Sequence, residues 1–97
     1  MRIGVPSETK TLEGRVALVP AAAGDLVKRG HEVWLEKDAG VKSGFQDTDY
    51  TALGVRIAPD AAALYEKGEM IVKVKEPSAG DLQHLRQDHL LFCYLHL

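Results

Sequence analysis

Three residues have the types needed to hold and protonate a small oxo acid. Arg15 lies in a polar loop within "EGRVALVP", Lys75 closes the "KVK" of "KVKEP", and His96 stands in the final "YLHL". An arginine fork grips a carboxylate with two parallel hydrogen bonds. A lysine supplies a point charge and a donor for a carbonyl oxygen. A histidine gives or takes a proton near neutral pH. Brought together, the set describes a pocket for a small 2-oxo acid. Tyr94 and His96 share a strand face by two-residue alternation, as do Lys73 and Lys75. Taken singly, each has an ordinary reading: a solvated loop arginine, a rim lysine, a terminal histidine with no task. The chemistry requires all three to converge, and convergence is a property of the fold.

The punctuation of the chain says how they would be positioned. "RIGV" (2–5) is a short apolar strand stopped by Pro6, and "RVALV" (15–19) reads as extended. Pro20 opens a helix as its first residue, with Lys28 and Arg29 in its last turn and Gly30 just past it. Leu26 and Val27 face the sheet, with Ala22 and Ala23 one turn earlier. "EVWLE" (32–36) is a strand, and "KDAGVKSGF" (37–45) is a loop in which "GVKSG" forms a turn. Asp47 caps a short helix closed by Gly54. "VRIA" (55–58) is a strand, and Asp60 caps "AAALYEK", closed by Gly68. "MIVKVK" (70–75) is a strand, Ser78 caps a helix through about Arg86, and "HLLFCYL" (89–95) is the last strand, read as a buried one. Strand and helix alternate with short loops. The fold class is therefore α/β: a doubly wound, mostly parallel sheet with helices on both faces, Rossmann-like. Ligands in such sheets lie beyond the carboxyl ends of the strands, where Arg15, Lys75 and His96 would converge.

Bulk properties narrow the function. The 97 residues carry 12 Lys and Arg against 14 Asp and Glu, a net charge of −2. That balance offers no basic surface for nucleic acid or an anionic membrane. No run of about 18 apolar residues suggests a membrane span. "MRIGVPSETK" is not a signal peptide. A single cysteine excludes an internal disulfide and fits a reducing, cytoplasmic setting. There is no G-x-G-x-x-G fingerprint for a dinucleotide. Cys93 and His96 point to opposite strand faces and cannot share a metal, so Cys93 reads as a small core residue. His31 looks like a helix-exit residue, and His84 and His89 have no evident partner.

The ordered motifs "MRIGVPSETK", "EGRVALVP", "LVKRGHEV", "KVKEP" and "LFCYLHL" closely resemble the N-terminus of the alanine dehydrogenase family. That family shares its fold with the NAD-binding part of nicotinamide nucleotide transhydrogenase, which "KVKEP" and "YLHL" resemble less. The resemblance runs from Met1 to Leu97. It implies reversible, NAD-dependent deamination of L-alanine to pyruvate and ammonia. It also implies that Arg15 binds the substrate carboxylate, Lys75 the carboxylate or carbonyl, and that His96 is the acid–base group, with Tyr94 lining the pocket. Val19 and Cys93 depart from the threonines common in the family, at similar volume and away from the key positions.

The family's chains are much longer and have two domains, with the NAD site downstream. The resemblance therefore implies that residues 1–97 are an incomplete N-terminal, substrate-binding domain of a catalytic chain, with NAD bound elsewhere. By itself the piece is expected to be inactive. The whole protein is expected to be a cytoplasmic homo-oligomer that takes a small-molecule substrate and neither nucleic acid nor membrane. Two alternatives stay open: a non-catalytic small-carboxylate-binding or assembly module, and a piece of a transhydrogenase NAD-binding subunit.

Overall fold

A computed structural model describes residues 1–8 and 14–93. Among them run β1 (Arg2–Val5), α1 (Pro20–Lys28), β2 (Glu32–Glu36), a 3-10 turn (Val41–Ser43), α2 (Asp47–Thr51), β3 (Arg56–Ala58), α3 (Ala61–Lys67), β4 (Met70–Lys73), α4 (Ala79–Leu82) and β5 (Leu90–Cys93). The described strands form one sheet in the order β3-β2-β1-β4-β5. Every pairing is parallel: Ile3 sits beside Val33 and Met70, and Val72 beside Phe92. The order reverses between β1 and β4, so a crevice must open above their carboxyl ends.

Alternation along the strands divides the core in two. Ile3, Val5, Val33, Leu35, Val72 and Val74 pack on one face, with Ala23 of α1 and Tyr50 of α2. Ile71 and Ala58 face the other way and meet Leu64 and Tyr65 of α3. Helices thus cover both faces, as the apolar strands demand.

The helix stops follow from local chemistry. Gly30 has φ +94°, a conformation that suits glycine. There its N–H reaches Val27 O while the His31 N–H reaches Leu26 O, the bond pattern of a Schellman end. Asp60 accepts the Ala63 N–H and starts α3. At the far end of α3, Gly68 lies against β1: a Cβ there would sit 3.1 Å from Gly4 Cα and 2.9 Å from Ile71 Cδ1. That close approach sets α3 down on the sheet.

Several expectations need correction. Residues 15–19 form no strand, although Val16 and Ala17 are buried. Gln46 rather than Asp47 caps α2, exchanging bonds reciprocally with Asp49. Ala22 is exposed, and Gly24 is buried in its stead. "GVKSG" holds a 3-10 turn that ends at Gly44 in the left-handed region. β4 ends at Lys73 and α4 at Leu82, both short of the expected bounds. β5 is not a buried strand. It pairs only with β4 among the described strands and leaves Leu90, Leu91 and Phe92 about half exposed. Its apolar sequence reads the same at an edge as at a centre, and only the sheet order tells them apart.

Candidate functional site

The β1/β4 crevice is bridged by one carboxylate, that of Glu8, three residues beyond the end of β1. Glu8 Oε2 accepts the Val74 N–H at 3.0 Å, and Oε1 accepts the Lys75 N–H at 3.3 Å. The Lys73 ammonium donates to Oε1 at 3.2 Å. On its other side Lys73 meets Asp81 Oδ2 at 3.4 Å. The side chains of Glu8, Lys73 and Asp81 are 3%, 1% and 7% exposed, so this is a buried charge network at the strand ends. Asp81 also accepts the Ser78 N–H and hydroxyl and the Tyr65 hydroxyl. Burial pushes the Asp81 pKa up, but the Ser78 N–H, the Lys73 charge and the two hydroxyls outweigh it and hold the carboxyl below its usual range. Burial and the Asp81 charge push the Tyr65 hydroxyl well above its ordinary value, so it stays a donor.

Arg15 lines a recess with Ser7, Glu8, Gly14, Asp38 and Lys42 beside this network. Its loop is clamped from behind. The Ser43 hydroxyl donates to Gly14 O at 2.8 Å and accepts the Val16 N–H at 3.0 Å, holding the residues on both sides of Arg15. The Tyr50 hydroxyl fixes Leu18 O at 2.7 Å. Asp38 takes φ 64° at the recess, an excursion that aspartate tolerates better than most residues. Arg15 is exposed.

Arg15 thus lines the same recess as Glu8, and the Lys75 amide donates to the Glu8 carboxylate. Tyr94 and His96 lie outside the described residues. Lys73 and Lys75 do not act as a pair, because Lys73 is neutralised by two buried carboxylates. Glu8, Asp81 and Ser43 are not singled out by the sequence, and Lys73 enters there only as a strand-face neighbour of Lys75. The signal at hand was a lysine inside an apolar strand, which has to find buried partners. His84 and His89 do have partners: His84 stacks on Tyr65, and His89 bonds Tyr65 O at 2.8 Å through Nε2. A second groove, lined by Ala61, Ser78, Gly80, Asp81 and His84, has its Ser78 and Asp81 groups already engaged with each other.

Burial raises the Cys93 thiol, with Lys73 opposing and nearby carboxylates adding to the rise. These residues do not fit a dinucleotide. Of the connection between β1 and α1, residues 6–8 and 14–19 are described; the turn directly out of β1, Pro6–Ser7–Glu8, has no glycine and places a carboxylate where a pyrophosphate would need backbone N–H groups.

Residues 4–97 match the family profile described as alanine dehydrogenase/PNT, N-terminal domain. An alanine dehydrogenase of Halomonas elongata is 47% identical over 97 residues, all of this chain and 26% of that protein. One of Mycobacterium tuberculosis is 41% identical over the same span. Among solved structures, an L-alanine dehydrogenase has a TM-score of 0.90 at 42% identity, covering 99% of this chain and 26% of its own. A transhydrogenase from Sinorhizobium meliloti also reaches 0.90, at 27% identity, covering 98% of this chain and 28% of its own. The chain spans about a quarter of the length of these relatives. A sheet common to both enzyme types and a sequence matched almost end to end lead to one conclusion: the chain belongs to the alanine dehydrogenase/PNT N-terminal domain family.

Proposed function

We propose that this chain is the substrate-holding part of an NAD-dependent L-alanine dehydrogenase. One observation carries the reading: the Arg15 recess and the Lys75 amide meet at one carboxylate, at the switch point of the sheet. The higher identity to the alanine dehydrogenase structure, 42% against 27% for the transhydrogenase, favours this branch. In this reading residues 1–97 are the leading part of a substrate-binding domain, and NAD belongs outside them.

The substrate's carboxylate pairs with Arg15. Lys75 donates to the carbonyl oxygen of pyruvate, where negative charge builds as ammonia adds. His96 protonates that oxygen and later helps it leave as water. Tyr94 lines the pocket beside it. In the direction of deamination the same groups act in reverse. The whole protein would be a cytoplasmic homo-oligomer.

A chimera tests this. The present 97 residues replace the matching quarter of the Halomonas elongata relative. Alanine-dependent NADH formation is expected to survive, and His96→Ala in the chimera to abolish it with modest loss of pyruvate binding. Near-normal turnover in that variant would sink the role given to His96. The 97 residues alone are expected to form no NADH.

A second reading, an assembly module, is favoured by the half-exposed apolar side chains of β5. Light scattering separates the two: a clean monomer at high concentration speaks against assembly.

A further inference from the structure

The buried network has no place in the mechanism above, and net stability is a weak reason for such a network. A buried ion pair offsets its own desolvation poorly, and apolar residues of the same volume commonly do as well. What the network achieves is connection. Among the described residues the β4 ladder with β1 covers Met70 and Ile71, and its ladder with β5 runs as far as Lys73. The next two amides, Val74 and Lys75, are taken by the Glu8 carboxylate. The backbone of Lys75 is therefore referenced to the loop after β1, which also borders the Arg15 recess. Lys73 locks Glu8 in place, and Asp81 locks Lys73, with Ser78 and Tyr65 behind it.

We propose that Glu8 is a positioning residue that sets selectivity for 2-oxo acids over plain carboxylates by fixing the backbone from which Lys75 projects. The inference rests on the functional reading above, in which Arg15 holds the carboxylate and Lys75 the carbonyl. Both Glu8 oxygens are engaged by the Lys73 ammonium and the Val74 and Lys75 amides, so in this proposal it acts through Lys75. Loss of its grip should weaken ligands that use Lys75 and spare those that use Arg15 alone. A role confined to folding would weaken both alike.

The experiment titrates the ¹⁵N-labelled chain with pyruvate and, separately, with propionate, which lacks the carbonyl. Wild type is expected to prefer pyruvate. Glu8→Gln keeps the shape but replaces one acceptor oxygen with a donor. It should move the Val74 and Lys75 amide resonances, weaken pyruvate about tenfold, the scale of one lost charged hydrogen bond, and leave propionate within about twofold. Glu8→Asp keeps the buried charge but withdraws it by one methylene; it should give the same selective loss, and it carries the test if Glu8→Gln does not fold. Unchanged pyruvate affinity in a folded Glu8 variant, or equal loss of both ligands, overturns the inference. If wild type binds neither ligand, or Arg15→Ala binds both as wild type does, the functional reading fails and the inference goes with it.

Discussion

Lys73 shows how much one buried side chain can demand of its surroundings. It is the shared cation between Glu8 and Asp81. Lys73→Met keeps the apolar stem and leaves two carboxylates facing each other. We expect a loss of about 3–5 kcal/mol in urea unfolding, the scale for stranding a buried charge. Adding Glu8→Gln should recover part of it, because contacting residues do not add independently. Glu36 behaves in the opposite sense. Burial raises its pKa above the ordinary 4.5, aided by Asp81 and Asp60 and opposed by the Ser7 N–H and Lys73. A raised folded-state pKa contributes stability that is full below 4.5 and is lost as pH rises through the folded value. Glu36→Gln can still accept the Ser7 N–H and no longer has to ionise. Its melting temperature should match or exceed wild type at pH 7, with the pH-dependent loss between acid and neutral conditions flattened. A melt series from pH 4 to 7 checks this, and an unchanged slope would remove Glu36 as its source.

At the scale of elements, tertiary bonds decide lengths that propensity leaves open. Ser78 and Asp81 start α4 with reciprocal bonds, but the chain leaves the helix after Leu82. Beyond it, Arg86 Nη1 donates to Tyr65 O and His89 Nε2 meets the same oxygen. That carbonyl lies in the last turn of α3, where helix oxygens lack internal partners. Closing α3 in this way holds residues 86–89 in a non-helical path. The α3–β1 contact makes a sharper test. Gly68→Ala would drive a Cβ onto Gly4 Cα, and backbone cannot swing aside as a rotamer can. A loss of about 1–3 kcal/mol, typical of overpacking, is expected in thermal or urea unfolding. A neutral result would mean that α3 can lift off β1 without cost.

For the molecule as a whole, the sheet is well covered around β1 and β2 and thinly covered at β5. Leu90 is 53% exposed and Leu91 44%, on a strand at the end of the sheet order. Exposed apolar edges invite pairing with another chain. We expect the 97-residue chain to gain apparent mass with concentration in light scattering, and Leu90→Lys to shift it toward monomer. A wild-type monomer throughout the concentration range would show that this edge is harmless.

Much of this protein can be read in one dimension. The alternation of apolar runs with capped helices specifies a parallel α/β sheet, because period-2 and period-3.6 patterns and their stops are local properties. Asp60, Gly30 and Gly68 act where their types say they should. The motifs around Arg15 and Lys75 carry the family assignment for the same reason: they are contiguous in sequence. The tertiary structure alone decided which strand is an edge, that Lys73 is buried between carboxylates, and that Glu8 joins the Arg15 recess to Lys75. Those facts depend on partners about 65 residues apart in the chain, and no local pattern encodes a pairing that only the sheet order brings about.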